Sequence, residues 1–247
     1  MNSFKQVGLT ACVALMTGYA IATMPRVAQA IAIQPTATAL LDTKTKESAQ
    51  SEDQAQQWYD QAWELIDAGK PQQALALFDR VLKQYPNHAP THAGRGQALY
   101  DLKRYSEAIA ALQQAVKLDA KLVGAWIDLG NALDDGGQPQ AALKAYDRAI
   151  QLQPKSMNAW YNKGVTLGRL KQYKEAIAAY DRAIALNPKY ENAWYNRGVA
   201  LVRLERYREA IAAFDQTLQI NPNNKDAQQN REILVRKVGQ VPRTNAV

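Results

Sequence analysis

Between residues 157 and 224 a 34-residue sequence is written twice. Asn158-Ala-Trp-Tyr-Asn-Lys-Gly reappears as Asn192-Ala-Trp-Tyr-Asn-Arg-Gly, Tyr173-Lys-Glu-Ala-Ile-Ala-Ala-Tyr-Asp as Tyr207-Arg-Glu-Ala-Ile-Ala-Ala-Phe-Asp, and Asn187-Pro188 as Asn221-Pro222. A fixed period of this size identifies a stack of like units, because one such unit cannot bury its apolar face alone. The register extends toward the N-terminus. Trp58, His92, Trp126, Trp160 and Trp194 stand 34 apart, and Ala62, Gly96, Gly130, Gly164 and Gly198 follow four residues later. Phe78, Leu112, Tyr146, Tyr180 and Phe214 form a third column, and Pro86, Pro154, Pro188 and Pro222 close four of the five copies.

Within each copy the apolar residues recur at steps of three and four, which predicts two helices. In the fourth copy these are Trp160, Val165, Leu167 and Leu170, then Ala176, Ile177, Tyr180, Ala183 and Ile184. Breakers separate the two helices (Gly69-Lys-Pro71, Gly136-Gly137-Gln-Pro139, Lys171-Gln-Tyr173), and the closing proline ends the second. The Gly and Ala column is expected to let two helices approach, with the aromatic column filling space against the next hairpin. The copies occupy 55–88, 89–122, 123–156, 157–190 and 191–224. A polar capping helix is expected over 225–238, with Ala227, Leu234 and Val238 inward, and a frayed tail over 239–247.

These columns resemble the tetratricopeptide repeat (TPR) family, whose 34-residue units carry Trp, Leu-Gly, Tyr, Ala, Phe and Pro at set offsets. The resemblance implies an all-α, right-handed superhelical solenoid of antiparallel helix pairs, with a concave groove lined by the first helix of each pair and used to hold peptide segments. One column departs from the family: Gln61, Arg95, Leu129, Lys163 and Arg197 stand where Leu is usual. Long basic stems there are expected to pack along the hairpin with their heads in water.

Carried onto this chain, the family's groove would be lined by Tyr59, Asp60, Trp63, Gln97, Asp128, Asn131, Asn158, Tyr161, Asn162, Arg169, Asn192, Tyr195, Asn196 and Arg203, with Asp67, Tyr100, Asp101, Asp134 and Asp135 beside them. The aspartates fall in the first three copies and Arg169 and Arg203 in the last two, so a partner segment with a basic portion toward copies one to three is expected. Asn162 and Asn196 resemble the asparagine ladder in the TPR region of O-linked N-acetylglucosamine transferases. The carboxylate-holding set of TPR cochaperones, in contrast, maps to Ile127, Asn131, Asn162, Asn192 and Asn196, and all three of its basic residues are missing. A C-terminal carboxylate therefore lacks the charge-assisted grip it would need.

Other function classes find little footing. Cys12, His88 and His92 are the only cysteine and histidines, too few for a zinc finger or a disulfide framework. No nucleophile–base pair and no Gly-rich phosphate loop occurs, so a non-enzymatic protein with no cofactor and no metal is expected. The formal charge of +7 is interleaved with acids rather than run together, and no nucleic acid is expected as partner.

The N-terminus reads as an address. Lys5 precedes an apolar run over residues 7–24, Pro25 breaks it, and Val27-Ala28-Gln29-Ala30 supplies small residues before a cleavage point after Ala30. Residues 1–30 are thus expected to be a secretory signal; an uncleaved membrane anchor over 7–24, or lipidation at the Leu9-Thr10-Ala11-Cys12 box, is the alternative. Residues 31–54, rich in Gln, Thr, Ser, Lys and Glu, are expected to form a flexible tether. The whole chain reads as an exported adaptor that holds a partner protein, for example in the assembly of an envelope or membrane complex. A membrane-anchored spacer or oligomerising element acting through its outer surface is the alternative, and the oligomeric state is left open.

Overall fold

The computed structural model describes the backbone of residues 37–239 and the side chains of residues 50–239. The expected signal or anchor (1–30), the first residues of the expected tether (31–36) and residues 240–247 of the expected tail lie outside the described residues. Those described form eleven helices and no strand: α1 (Ala37–Asp67), α2 (Pro71–Gln84), α3 (Ala89–Asp101), α4 (Tyr105–Leu118), α5 (Val123–Asp135), α6 (Pro139–Leu152), α7 (Met157–Arg169), α8 (Tyr173–Leu186), α9 (Glu191–Arg203), α10 (Tyr207–Ile220) and α11 (Lys225–Gly239).

The chain divides into two compact units, residues 1–57 and 58–247. The described part of the first is a helical run from Ala37, which corrects the flexible tether expected over 31–54. The reason is local. Residues 37–67 contain neither glycine nor proline and are dominated by Ala, Leu, Gln, Lys and Glu, which lose little rotamer freedom in a helix.

The second unit holds the repeats. α3 pairs with α4, α5 with α6, α7 with α8 and α9 with α10, and each second helix packs on the first helix of the next pair, ending with α10 on α11. At the closest approach of each pair a glycine meets a large side chain sixteen residues later: Gly96 with Leu112, Gly130 with Tyr146, Gly164 with Tyr180 and Gly198 with Phe214. A Cβ on Gly130 would lie 2.3 Å from Tyr146 Cε1, so any larger residue would force the helices apart. The large residue therefore fills space within its own hairpin. Phe78 goes further and also meets Gly94 of the following hairpin.

The turn inside each hairpin has one backbone geometry and two chemistries. Its left-handed residue recurs every 34 positions: Gly69 (φ 68°), Lys103 (60°), Gly137 (80°), Lys171 (61°) and Glu205 (58°). The next residue donates its N–H back to a leucine carbonyl five positions earlier (Lys70 to Leu65, Arg104 to Leu99, Gln138 to Leu133, Gln172 to Leu167, Arg206 to Leu201) at 2.7–3.0 Å. This closure satisfies carbonyls that the helix end leaves open. Copies one and three use Gly followed by Pro71 or Pro139 at the first helical position; the others place Lys or Glu in the strained turn and Tyr after it.

The tryptophan column has a hydrogen-bonding task. Trp126, Trp160 and Trp194 donate Nε1–H to the carbonyls of Ala120, Pro154 and Pro188, each six residues earlier, at 2.9–3.0 Å. His92 Nε2 stands 2.8 Å from the Pro86 carbonyl, and Gln228 Nε2 donates to that of Pro222 at 2.6 Å. His92 is thus a structural donor in a tryptophan position, and the same device continues into α11. Here Ala227 and Leu234 are buried and Val238 is half-buried.

Glu205 combines left-handed backbone strain with a negative charge at a helix C-terminus, both unfavourable. Glu205→Gly is expected to raise stability by about 1 kcal/mol, and Gly137→Ala, which has open space but the same backbone demand, to lower it by about 1 kcal/mol. Urea denaturation of the two variants beside the parent measures both signs.

Candidate peptide-binding groove

Successive first helices approach one another directly, α3 with α5, α5 with α7 and α7 with α9, which puts them on the inner side of the stack. The candidate residues sit on these helices, and in the first copy on α1, at the positions that neither the glycine column nor the leucine column occupies. Their surroundings differ from copy to copy.

In the first copy Tyr59 and Trp63 are half-buried and packed edge-on: Tyr59 has its ring centroid 6.3 Å from that of Trp63, 6.1 Å from Phe78 and 5.8 Å from His88, and Trp63 is 5.7 Å from Phe78. They form an aromatic wall, beside which Asp60 is exposed. In the second copy Gln97 Nε2 donates to Asp101 within the same helix at 3.0 Å. Asp128 is half-buried on α5 and feels the charge of that same Asp101. Desolvation first, and the Asp101 charge second, push the Asp128 carboxyl up to about 6, and burial also raises Asp101.

From the third copy onward the polar residues bond across repeats. Asn131 Oδ1 accepts from Tyr146 Oη (2.9 Å) and Asn162 Nδ2 (2.8 Å). Asn196 Nδ2 donates to Tyr161 Oη at 3.0 Å, and Asn230 Nδ2 donates to Tyr195 Oη at 3.3 Å. Each of these last two bonds links residues 35 apart, and so does the bond from Tyr100 Oη to Asp135 Oδ2 at 2.6 Å. The asparagine ladder therefore also ties repeats together. Among the described residues, these bonds leave Asn162 and Asn196 one amide N–H and the carbonyl oxygen each for a ligand.

Arg169 bridges the two sides of the expected division by charge. It reaches back one repeat and pairs with Asp134 (2.9 Å) and Asp135 (3.1 Å), so the basic and acidic halves of the face meet there. Asp134 is buried, and Thr166 Oγ1 also donates to it at 2.9 Å. Asn158, Asn192 and Arg203 are exposed.

Sequence reasoning gave no site role to Tyr146, Thr166 or Asn230. Asn230 lies 34 residues beyond Asn196, so the period already contained it. Tyr146 and Thr166 carried no such signal, because one stands in the aromatic core column and the other among apolar residues.

The basic column that departs from the usual pattern also has a partner. Arg95 pairs with Asp79 (2.7 Å), Lys163 with Asp147 (2.6 Å), Arg197 with Asp181 (2.6 Å) and Arg231 with Asp215, always sixteen residues back on the preceding helix. Lys163 and Arg197 also lie over the rings of Trp160 and Trp194. Their heads are thus bridged, where solvation alone was expected. Pairs this exposed contribute about 0–1 kcal/mol each, and their main effect is on register. In the third copy Leu129 replaces the base and Gln113 the acid together.

A tetratricopeptide-repeat family model matches residues 59–122, 127–191 and 166–225. The chain belongs to the tetratricopeptide-repeat family. Solved TPR structures share its right-handed solenoid. The MamA protein is 26% identical with a TM-score of 0.61, over 70% of this chain and 94% of that one. MamA from Desulfovibrio magneticus RS-1 is 21% identical with a TM-score of 0.64, over 70% and 98%. YrrB, described as a TPR protein with an unusual peptide-binding site, is 23% identical with a TM-score of 0.63, over 76% and 97%. The last two likenesses are of fold alone. Among curated proteins the comparison returns no match.

The burial of Asp128, with the Asp101 charge second, makes a pH prediction. A folded Asp128 keeps its proton up to about pH 6 while the ordinary value is 3.8, so the native state binds more protons than the unfolded one in that window. Stability contributed by this residue falls as pH rises from about 4 to 6 and is level above it. Asp128→Asn is expected to be more stable than the parent by on the order of 2 kcal/mol at pH 7, with the difference vanishing below about pH 4. Thermal melts of both proteins at pH 7 and pH 3.5 test it.

Proposed function

We propose that this TPR protein is a non-catalytic, exported adaptor whose concave face holds an extended basic segment of a partner protein. The observation that carries the reading is the Asp101–Asp128 pair. Asp128 is desolvated on α5 and also feels the Asp101 charge, burial raises Asp101 as well, and no ion pair to either carboxylate is present among the described residues. A cation laid across α3 and α5 would relieve both.

The aromatic wall of Tyr59 and Trp63 supplies apolar area at one end of the face, and the remaining amide groups of Asn162 and Asn196 supply backbone-type hydrogen bonds at the other. Several such bonds at about 0.5–1.5 kcal/mol each, with the aromatic area, reach the roughly −8 kcal/mol of a micromolar complex. YrrB carries a peptide-binding site by its description, and a comparable use of the inner face is what we infer for this chain.

Export rests on the sequence of the first thirty residues: Lys5, the apolar run 7–24 and Val27-Ala28-Gln29-Ala30. An adaptor delivered this way would serve a complex of the envelope or membrane.

Fluorescence anisotropy with an extended lysine–alanine peptide and its glutamate–alanine counterpart tests the groove. The full chain carries a formal charge of +7, so capture of a cation reports a local acidic face and not net attraction. Micromolar binding of the lysine peptide is expected at low salt, weakened at least ten-fold by Asp101→Asn with Asp128→Asn. Equal affinity for both peptides, or no loss in the double variant, would sink the proposal.

A further inference from the structure

Charges that alternate along the sequence are sorted by the fold. Lys83 and Lys117 stand in the last turns of α2 and α4, and Lys121, Lys155 and Lys189 lie in the loops that join one helix pair to the next. All of them are exposed, and none forms an ion pair among the described residues. The acids of these loops and of the residues flanking them are Asp119 and Glu191, and amide groups, not the lysines, hold them. Asp119 accepts the backbone N–H of Lys121 (2.9 Å), and Glu191 accepts from Asn221 (2.9 Å) and Asn224 (2.7 Å). This edge of the stack therefore keeps an excess of positive charge. The opposite edge, built from the turns inside each pair, carries both signs together: Arg104 pairs with Glu107 and Arg206 with Glu209, each at 2.7 Å.

Two open hollows recur along the basic edge, three repeats apart. Trp58, Arg80, Lys83 and Gln84 wall one of about 520 Å³, and Pro154, Trp160, Arg182, Ala185 and Leu186 wall another of about 360 Å³. Each sets an indole beside an arginine, and the Arg80 guanidinium lies 5.9 Å from the Trp58 ring centroid. Trp160 spends its N–H on the Pro154 carbonyl, so it offers the hollow its ring alone. Leu186 keeps 38% of its surface exposed.

Tryptophan rings and a leucine set among long cationic side chains call for two things at once: negative charge for the heads and hydrocarbon for the rings. A soluble polyanion meets the first of these through its phosphates or carboxylates. An anionic bilayer surface meets both, because aromatic rings settle at headgroup level while lysine and arginine stems carry their charges to the phosphates. Its breadth also suits cations spread over successive loops rather than gathered at one point.

We propose that this basic, tryptophan-bearing edge is a docking surface for an anionic phospholipid bilayer, met by the loops between helix pairs. The edge lies apart from the concave face, so the inference stands independently of the groove reading.

Co-sedimentation of the full chain with vesicles tests it, using phosphatidylcholine alone and phosphatidylcholine with about one third phosphatidylglycerol. The neutral vesicles measure any insertion of the apolar run over 7–24. A preference for the anionic vesicles of about ten-fold or more is expected at low salt, disappearing at high salt. Lys121→Gln, Lys155→Gln and Lys189→Gln together, at exposed side chains, are expected to remove most of that preference. Lys70→Gln, Lys174→Gln and Arg208→Gln take the same charge from exposed positions near the opposite edge and are expected to leave it intact. Circular dichroism checks that both variants keep the parent's helix content. Equal binding to the two kinds of vesicle, or equal loss in the two variants, overturns the proposal. Tighter binding of a short single-stranded DNA or of polyglutamate than of the anionic vesicles, lost in the loop-edge variant, assigns the edge to a soluble polyanion and overturns the bilayer.

Discussion

Contact between a glycine on one helix and a bulky side chain sixteen residues later is what the rest of this structure depends on. With no Cβ at Gly130 or Gly164, the rings of Tyr146 and Tyr180 lie directly on the neighbouring helix backbone, and the two helices of a pair come close enough to exclude water. That spacing sets the orientation of every other column. It turns the Trp ring toward the carbonyl six residues before it, turns the basic column onto the preceding helix, and leaves the remaining positions of each first helix on the inner face.

Polar bonding then joins units that packing has already stacked. Bonds between residues 35 apart, from Tyr100 to Asp135, Asn196 to Tyr161 and Asn230 to Tyr195, run along the inner face. Ion pairs sixteen residues apart tie α3, α7, α9 and α11 each to the helix before it. Neither set rivals apolar burial in energy, yet each fixes register, because a sliding helix would break several bonds at once. The inner bonds also limit how groove residues can be interpreted. Replacing Asn162 or Asn196 removes a repeat-to-repeat bond as well as a ligand contact, so the Asp101–Asp128 pair is the cleaner handle on binding.

The acidic part of the inner face is costly to the fold in two places. Asp128 is desolvated beside Asp101, and Asp134 is buried with one oxygen unsatisfied. Both lie on α5, where Leu129, with Gln113 on α4, stands in place of the ion pair that Arg95, Lys163 and Arg197 make in the second, fourth and fifth copies. A cation bound beside Asp101 and Asp128 would offset the first of these costs.

The 34-residue period determined the helix pairs, their order, the glycine and aromatic columns and the inner-facing residues, because each depends on spacing that a helix converts directly into a face. It also reached Asn230, one period past Asn196. The helical run from Ala37 was legible in composition but was read as a tether, since polar residues mark both exposed helices and linkers. Only the tertiary structure decided which groups meet. That Arg169 crosses to Asp134 and Asp135, and that Asn162 bonds Asn131, depend on distances between repeats. Such distances arise from how closely the helices pack, and one repeat's own sequence does not contain them.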